Sequence, residues 1–366
     1  MGLTALQVHG EGLGAASVAE YRGATTAARF GDPQAEFAAL RGVCGVYDLG
    51  YRAKISLTGG DRVRWLNGMV TNNIRDLAAG RGVYAFLLNL QGKILGDLYA
   101  YNRDESITVD TDSAQAEKIL ATFDHYIIMD DVEVTNLSEQ LTALGIGGPK
   151  SGEVLAAAGF AIPEMQALQT HSVAWQGMDY TVVRGEDAEH VSYEIWLAPN
   201  RARQLWNALL GARATPVGSE AVELHRIVAG IPRYGVDIRE RDLPQETEQA
   251  RALNFNKGCY VGQEIVERIR SRGAVHRKFT GLVADGPVEI APGARIIAGD
   301  KEVGEITSAG FVQSSEKTVA LGYIRREVGL PGREVTIGSA KATVVQLPLT
   351  DSLLLQEEIS LEQHPA

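Results

Sequence analysis

Between Leu253 and Arg270 the chain reads LNFNKGCYVGQEIVERIR, a stretch with neither helical nor strand periodicity that gathers Asn, Lys, Cys, Tyr, Gln and Glu side chains around two glycines. Irregular backbone carrying hydrogen-bonding groups and a thiol is where functional groups are commonly mounted. Lys257 stands two residues before Cys259, and an ammonium converging on that sulfur would favour a nucleophilic or redox-sensitive thiolate. The competing reading of Cys259 is a buried structural cysteine. Two carboxylates offer a second chemistry: Asp97 lies within ILGDLYAY and Glu194 within SYEIWLA. A carboxylate inside an apolar strand either faces solvent or lines a cleft as an acceptor for a bound amine. The run Arg268, Arg270, Arg272, His276, Arg277 and Lys278 is a solvated loop face or a patch that captures an acidic partner. No aromatic residue interleaves those charges as a stacking platform for RNA would require, so direct nucleic-acid binding is not expected. GIGGPKS (145–151) lacks the glycine spacing of a phosphate loop and reads as a strand-to-helix turn.

The elements that must position these residues follow from periodicity. A strand from Lys54 (KISLTG) leads into a helix from Asp61 with Val63, Leu66, Met69 and Val70 at helical spacing, then VYAFLLN, ILGDLYAY and SITVD as strands. A second helix, with Ala116, Ile119, Leu120 and Phe123 on one face and Asp112 or Ser113 as N-cap, precedes the strand DVEVTN. From Leu141 the pattern restarts: LTALGIGG, a helix over SGEVLAAAG, the strands HSVAWQ, MDYTVVRG and SYEIWLA, and a helix from Pro199 with Ala202, Leu205, Trp206 and Leu209 inward. The expected fold class is α+β: two ferredoxin-like halves forming one body over residues 30–275. A helix over Ser219 to Ala229 stops at Gly230, and a mostly irregular segment then runs to Gly273. Over 276–350 short alternating runs punctuated by Gly and Pro predict a small antiparallel β-barrel. The first 25 residues and the last dozen read as poorly ordered termini.

Composition narrows the function classes. The 366 residues, 45% hydrophobic and 22% charged, exclude a disordered polymer, and a formal charge of −11 opposes loose adhesion to nucleic acid or anionic lipid. Two cysteines, Cys44 and Cys259, are too few for a secreted disulfide framework. Seven histidines that never fall within a helical turn of one another predict no built-in metal site. The opening MGLTALQVHGEGLGAAS has neither a basic leader nor an apolar run of signal length, and no 18-residue apolar stretch follows, so a cytoplasmic protein is expected.

K-G-C-Y-V-G-Q-E (257–264) resembles the signature of the YgfZ group of folate-binding proteins, relatives of the glycine-cleavage T-protein, an aminomethyltransferase. Across residues 35 to 345 other stretches are similar to the wider family: RGVCGVYDLGYRAKISLTGGD, LLNLQGKILGDLYAY, GEDAEHVSYEIWLAPNRARQLWNALL, HRIVAGIPRYGVDI and KEVGEITSAGF. The resemblance implies a central pocket for tetrahydrofolate, bound as ligand or cosubstrate. Glu194 matches the family's pterin-binding Glu, and a carboxylate can accept paired N–H donors from a pterin edge. Arg226 matches an Arg suited to the acidic end of folate or to locking a neighbouring carboxylate. Tyr84, Tyr99 and Tyr234 either supply aromatic faces for the ligand's rings or are core. Gln263 and Glu264 enter the site with Cys259 and Lys257 through the signature, and the basic cluster gains a further reading as a grip on a polyglutamate tail.

Two departures bear on activity. Where T-proteins carry paired Asp residues, this chain has Gly96-Asp97, and Val228 stands where the family has Glu. A transferase of an aminomethyl group needs a carboxylate to orient and stabilise the amine. The leading expectation is therefore a tetrahydrofolate-binding protein that assists iron-sulfur cluster assembly or repair, with Cys259 as its thiol, partners among cluster proteins or assembly factors, and an indirect effect on tRNA-modifying enzymes. The alternative is an aminomethyltransferase or another folate-dependent one-carbon enzyme, with Asp97 as the principal acid.

Overall fold

The computed structural model describes residues 2–8, 13–186, 191–273 and 275–349. They divide into two compact units: the described residues within 1–223, 239–244 and 249–273, and those within 224–238, 245–248 and 275–349.

The first unit holds the duplication. Strand Arg52–Thr58, helix Arg62–Met69, strands Gly82–Leu88, Ile94–Asn102 and Ile107–Asp112, helix Ser113–Tyr126 and strand Glu133–Asn136 make the first half. Strand Thr142–Gly147, helix Ser151–Ala157, strands Thr170–Trp175, Met178–Arg184 and Ser192–Leu197, helix Ala202–Gly211 and strand Thr215–Val217 make the second. Sheet order repeats as well. In each half the second, third, fourth and first strands lie side by side, and in the second half Gly45–Asp48 is inserted before the last strand.

Period-two alternation gives each sheet two unlike faces. In the first sheet Ile55, Leu57, Leu98, Ala100, Ile107 and Val109 turn to one side and join Leu66, Met69, Ile119 and Phe123 of the two helices in one apolar cluster. Arg52, Lys54, Asp97, Tyr99, Tyr101, Asp110 and Asp112 occupy the alternate positions. In the second sheet Leu144, Ile146, Val182, Ile195 and Leu197 pack with Leu205, Trp206 and Leu209. Ala143, Gly145, Val183, Glu194 and Trp196 take the opposite face. These two inner faces meet: Tyr101 and Trp196 cross edge-to-face with centroids 5.1 Å apart, in a cluster with Tyr51, Ala143 and Val183.

Two expectations about order are corrected. The N-terminal segment is not a loose tail, because Gly2–Leu3, Ser17–Tyr21 and Ala24–Arg29 form a three-stranded sheet. Its hairpin tip is pressed onto the body: a Cβ on Gly23, at φ +95°, would lie 2.4 Å from the Ala114 nitrogen, so only glycine fits. The segment before Gly273 is not irregular throughout either, since Gln263–Arg272 is a helix that starts from left-handed Gly262 and seats Ile265 on Gly92. Its three apolar residues among seven polar ones hide the period unless the stretch is divided at Gly262. The expected C-terminal disorder falls outside the described residues.

The second unit is the barrel. Arg277–Asp285, Arg295–Ala298, Lys301–Val312, Lys317–Arg325, Glu334–Ile337 and Ala340–Val345 close into six antiparallel strands around Leu282, Ile296, Ile306, Ile324 and Val344. Residues 224–238 cluster with the barrel and not with the body because Asp237 gathers Arg226, Thr307 and Ser308 in one buried knot.

Candidate functional site

The meeting of the two inner faces in the first unit brings an unusual density of charge into its interior. Lys54 and Asp110, both fully buried, are cross-strand partners joined at 2.9 Å. Arg52 reaches Asp110 at 3.1 Å and Asp112 at 2.6 Å. Arg22, from the N-terminal hairpin tip, places one nitrogen 3.1 and 3.3 Å from the two oxygens of Asp112. Charges alternate along this row, Arg22, Asp112, Arg52, Asp110, Lys54, so each ion has a partner of opposite sign. Burial works to raise the Asp112 pKa, and the two guanidinium groups overcome it and hold the carboxyl below its usual range. Two atoms in the row are left over among the described residues: the Arg22 Nε, which donates to nothing, and the second oxygen of Asp110, which is buried and accepts no hydrogen bond.

Glu194 faces this row from the second sheet. Its carboxylate accepts from the Trp196 indole N–H at 2.9 Å, and Lys54 lies 5.0 Å from the centroid of the same indole. Burial first, and the charge of Asp110 next, push the Glu194 pKa above the ordinary carboxylate range, while Lys54, Arg52 and Trp196 pull the other way. Gly145 lies between Tyr47 and Glu194 in register, and a Cβ there would fall 2.1 Å from the Tyr47 ring. The glycine of the GIGG run is thus explained by a close ring approach beside the acid, within a strand, whereas Gly148 at φ +120° makes the turn into the helix.

Asp97 sits at the other end of the inner face. Tyr84 donates its hydroxyl to one Asp97 oxygen at 2.6 Å, and Gln115 donates its amide to the other at 2.7 Å while accepting the Asp97 backbone N–H at 3.0 Å. Burial and the nearby Asp112 raise the Asp97 pKa against those two bonds. Tyr99 packs on Tyr84 with centroids 5.0 Å apart. Over this pair lies Arg251, with its guanidinium carbon 4.3 Å from the Tyr84 centroid, its nitrogen 3.4 Å from the Tyr99 hydroxyl, and an ion pair to Glu186.

Four expected site residues therefore converge in the first unit: Glu194, Asp97, Tyr84 and Tyr99. Arg226 and Tyr234 belong to the second unit. Arg226 takes the second of its two readings, since its guanidinium is 4% exposed and engaged with Asp237 and Ser308. In the signature segment Cys259 is exposed, and Lys257 does not serve it. The Lys257 amine, 1% exposed, points into the Asn67 and Val70 carbonyls at the end of helix Arg62–Met69 and lies 4.7 Å from the Tyr260 centroid. Burial pushes its pKa down to about 7, and a neutral amine still has two N–H groups for those two carbonyls. Lysine here anchors the loop that carries the thiol. Gln263 opens the following helix and accepts the Tyr260 N–H at 3.3 Å, and Glu264 is exposed in its first turn. The basic run is divided between the units: Arg268 and Arg270 belong to the first, with Arg270 over the Phe255 ring, whereas Arg277 binds Glu246 and Glu305 in the second.

Sequence reading missed Arg22, Arg52, Lys54, Asp110, Asp112 and Arg251. The signal for most of them was present: R-A-K-I and V-D-T-D alternate charged with uncharged residues at period two, with opposite signs in facing strands.

Residues 8–257 match the family model of the GCVT N-terminal domain, and residues 277–351 match that of the glycine cleavage T-protein C-terminal barrel domain. Among curated proteins the chain is 28% identical to an aminomethyltransferase of Rubrobacter xylanophilus over 91% of this chain and 90% of that one. It is also 27% identical to a putative chloroplastic transferase of Arabidopsis thaliana over 82% and 69%. The fold is that of glycine cleavage system aminomethyltransferase T from Bartonella henselae, with a TM-score of 0.86 at 23% identity over 97% of this chain and 99% of that one. With both of its units matched, the chain belongs to the T-protein family defined by the GCVT N-terminal domain.

Proposed function

We propose that this protein binds a reduced folate between the two inner faces of its first unit, and that it acts through the exposed Cys259 thiol in iron-sulfur cluster assembly or repair. The observation that carries the folate reading is the pair of interior acids on opposed sheets. Glu194 and the unpartnered oxygen of Asp110 want N–H donors, and the edge of a pterin offers adjacent ones. The aromatic neighbours Tyr47, Tyr101 and Trp196 supply flat surface for a fused ring. The thiol reading rests on the resemblance of 257–264 to the YgfZ signature and on an anchored loop that leaves Cys259 open to a protein partner. Calorimetry with tetrahydrofolate tests the first part, and a silent titration refutes it. Cluster-enzyme activity in cells lacking the protein, restored by wild type and not by Cys259→Ser, tests the second.

Aminomethyl transfer to tetrahydrofolate is the second reading, favoured by the geometry at Asp97. A carboxylate held by a phenol and an amide is a fixed acceptor for an amine. Turnover with aminomethylated lipoyl carrier protein that disappears in Asp97→Ala would promote it over the first.

A further inference from the structure

A carboxylate site is already built at the outer edge of the acid-rich centre, and the chain fills it itself. Glu186 accepts the Tyr99 hydroxyl at 3.1 Å and pairs with Arg251, whose guanidinium spreads over the Tyr84 ring. Arg251 is not a core ion: its side chain is 31% exposed and that of Glu186 26%, unlike the fully buried Lys54 and Asp110. It is nonetheless held in place. The Arg251 carbonyl accepts from Asn72, the next carbonyl, of Ala252, accepts from Thr71 at 2.6 Å, and Asn254 donates to the Thr71 carbonyl. A planar cation on a fixed backbone, beside a phenolic donor and reachable from solvent, is a receptor for a carboxylate.

The polarity of the whole centre gives that receptor its ligand. Acids lie deep, at Glu194 and Asp110, and the accessible cation lies outside, at Arg251. A molecule with a donor edge at one end and a carboxylate at the other fits in one sense only. We propose that Arg251 and Tyr99 hold the carboxylate end of the bound folate, in the place that Glu186 now occupies. This inference rests on the folate reading above. It assigns the acidic end to a residue of the first unit, where the sequence had pointed to Arg226.

The test uses three probes on the full chain by calorimetry: tetrahydrofolate, 6-methyltetrahydropterin, which lacks the benzoylglutamate, and p-aminobenzoylglutamate, which lacks the pterin. Arg251→Met should weaken tetrahydrofolate about tenfold or more and leave the methylpterin unchanged. Arg251→Lys should fall between the two, and Glu186→Gln should tighten tetrahydrofolate by roughly twofold to fivefold because an internal competitor is gone. Equal losses for tetrahydrofolate and methylpterin, or an unchanged tetrahydrofolate affinity in Arg251→Met, would overturn the assignment. If wild type binds p-aminobenzoylglutamate through Arg251 and ignores both pterins, the carboxylate site stands and the folate reading falls. If it binds none of the three, both fall. Unfolding midpoints of the variants identify a folding failure, in which case Arg251→Lys and Glu186→Gln carry the decision.

Discussion

The two halves of the first unit share an order of elements and a sheet order, yet they divide the chemistry unequally. The first half faces the interior with Arg52, Lys54, Asp97, Asp110 and Asp112, and the second with Ala143, Gly145, Val183, Trp196 and one acid, Glu194. The apolar faces, by contrast, are alike, each a sheet packed on helices. Burial of the apolar face is what folding demands of both copies. The opposite face is left to function, and there one half became an ionic lattice and the other a flat wall with a single carboxylate. A lattice of buried charges tolerates little, because removing one member strands another, while the flat wall is constrained by shape.

Breaking the lattice should therefore have the largest effect. Lys54→Met leaves Asp110 fully buried with only Arg52 beside it, and a broken buried pair costs about 3–5 kcal/mol. Denaturant unfolding should show that loss in the midpoint, and Lys54→Met combined with Asp110→Leu should recover part of it. If Lys54→Met unfolds like wild type, the row of alternating charges does not stabilise the first half.

Shape should govern the second half. Gly145→Ala forces a methyl group 2.1 Å from the Tyr47 ring and should cost about 1–3 kcal/mol. Two residues along the same strand, Gly147→Ala meets nothing closer than 3.6 Å and should stay within about 0.5 kcal/mol. Equal unfolding midpoints for the two variants would remove the ring contact as the reason for glycine.

The same contrast explains what the sequence disclosed. Both halves and the barrel were legible because apolar residues at period two or 3.6 mark them, and Asp97 and Glu194 stood out as acids within apolar strands. The ionic row was harder to see, since Arg52, Lys54, Asp110 and Asp112 look like solvent-facing residues of half-buried strands until a second sheet covers them. Arg22 and Gly23 sit in a short hairpin whose value lies in what it touches, at Asp112 and Ala114, far along the chain. Lys257 was misjudged for a related reason. Sequence proximity to Cys259 suggested a contact, whereas the side chain is drawn to carbonyls at a helix end 190 residues earlier.

Glu194, the acid on the inner face of the second sheet, should matter for binding more than for stability. Glu194→Gln turns an acceptor into a donor facing the ligand's own N–H groups, and should weaken tetrahydrofolate by roughly tenfold, about 1.4 kcal/mol. Because the folded-state pKa of Glu194 is raised, the wild-type affinity should fall as pH drops through a point above the ordinary glutamate range, and the Gln variant should lose that dependence. The free protein should show the opposite slope from this group, gaining stability as pH falls, since the folded chain holds the proton more tightly than the unfolded one. An affinity profile that is the same in wild type and Glu194→Gln would take the carboxylate out of the ligand's reach.

The smallest expected effect on stability belongs to Cys259, and it sharpens the separation of the anchored loop from both halves. Cys44 lies fully buried in the apolar cluster between the second sheet and its helices, and burial pushes its thiol up to about 11. Cys259 is exposed, and its loop is held by Lys257 and Tyr260 and not by the sulfur. Cys259→Ser should therefore move the unfolding midpoint by no more than about 0.5 kcal/mol, the usual range for a surface substitution. In competitive alkylation near neutral pH followed by peptide mass spectrometry, Cys259 should label well ahead of Cys44, because its sulfur is accessible while burial both covers the Cys44 thiol and holds it protonated. Should Cys44 label first, the loop would have to cover its own sulfur in solution. A thiol so covered could not meet a protein partner, and the proposed role of Cys259 in cluster maintenance would lose its physical basis.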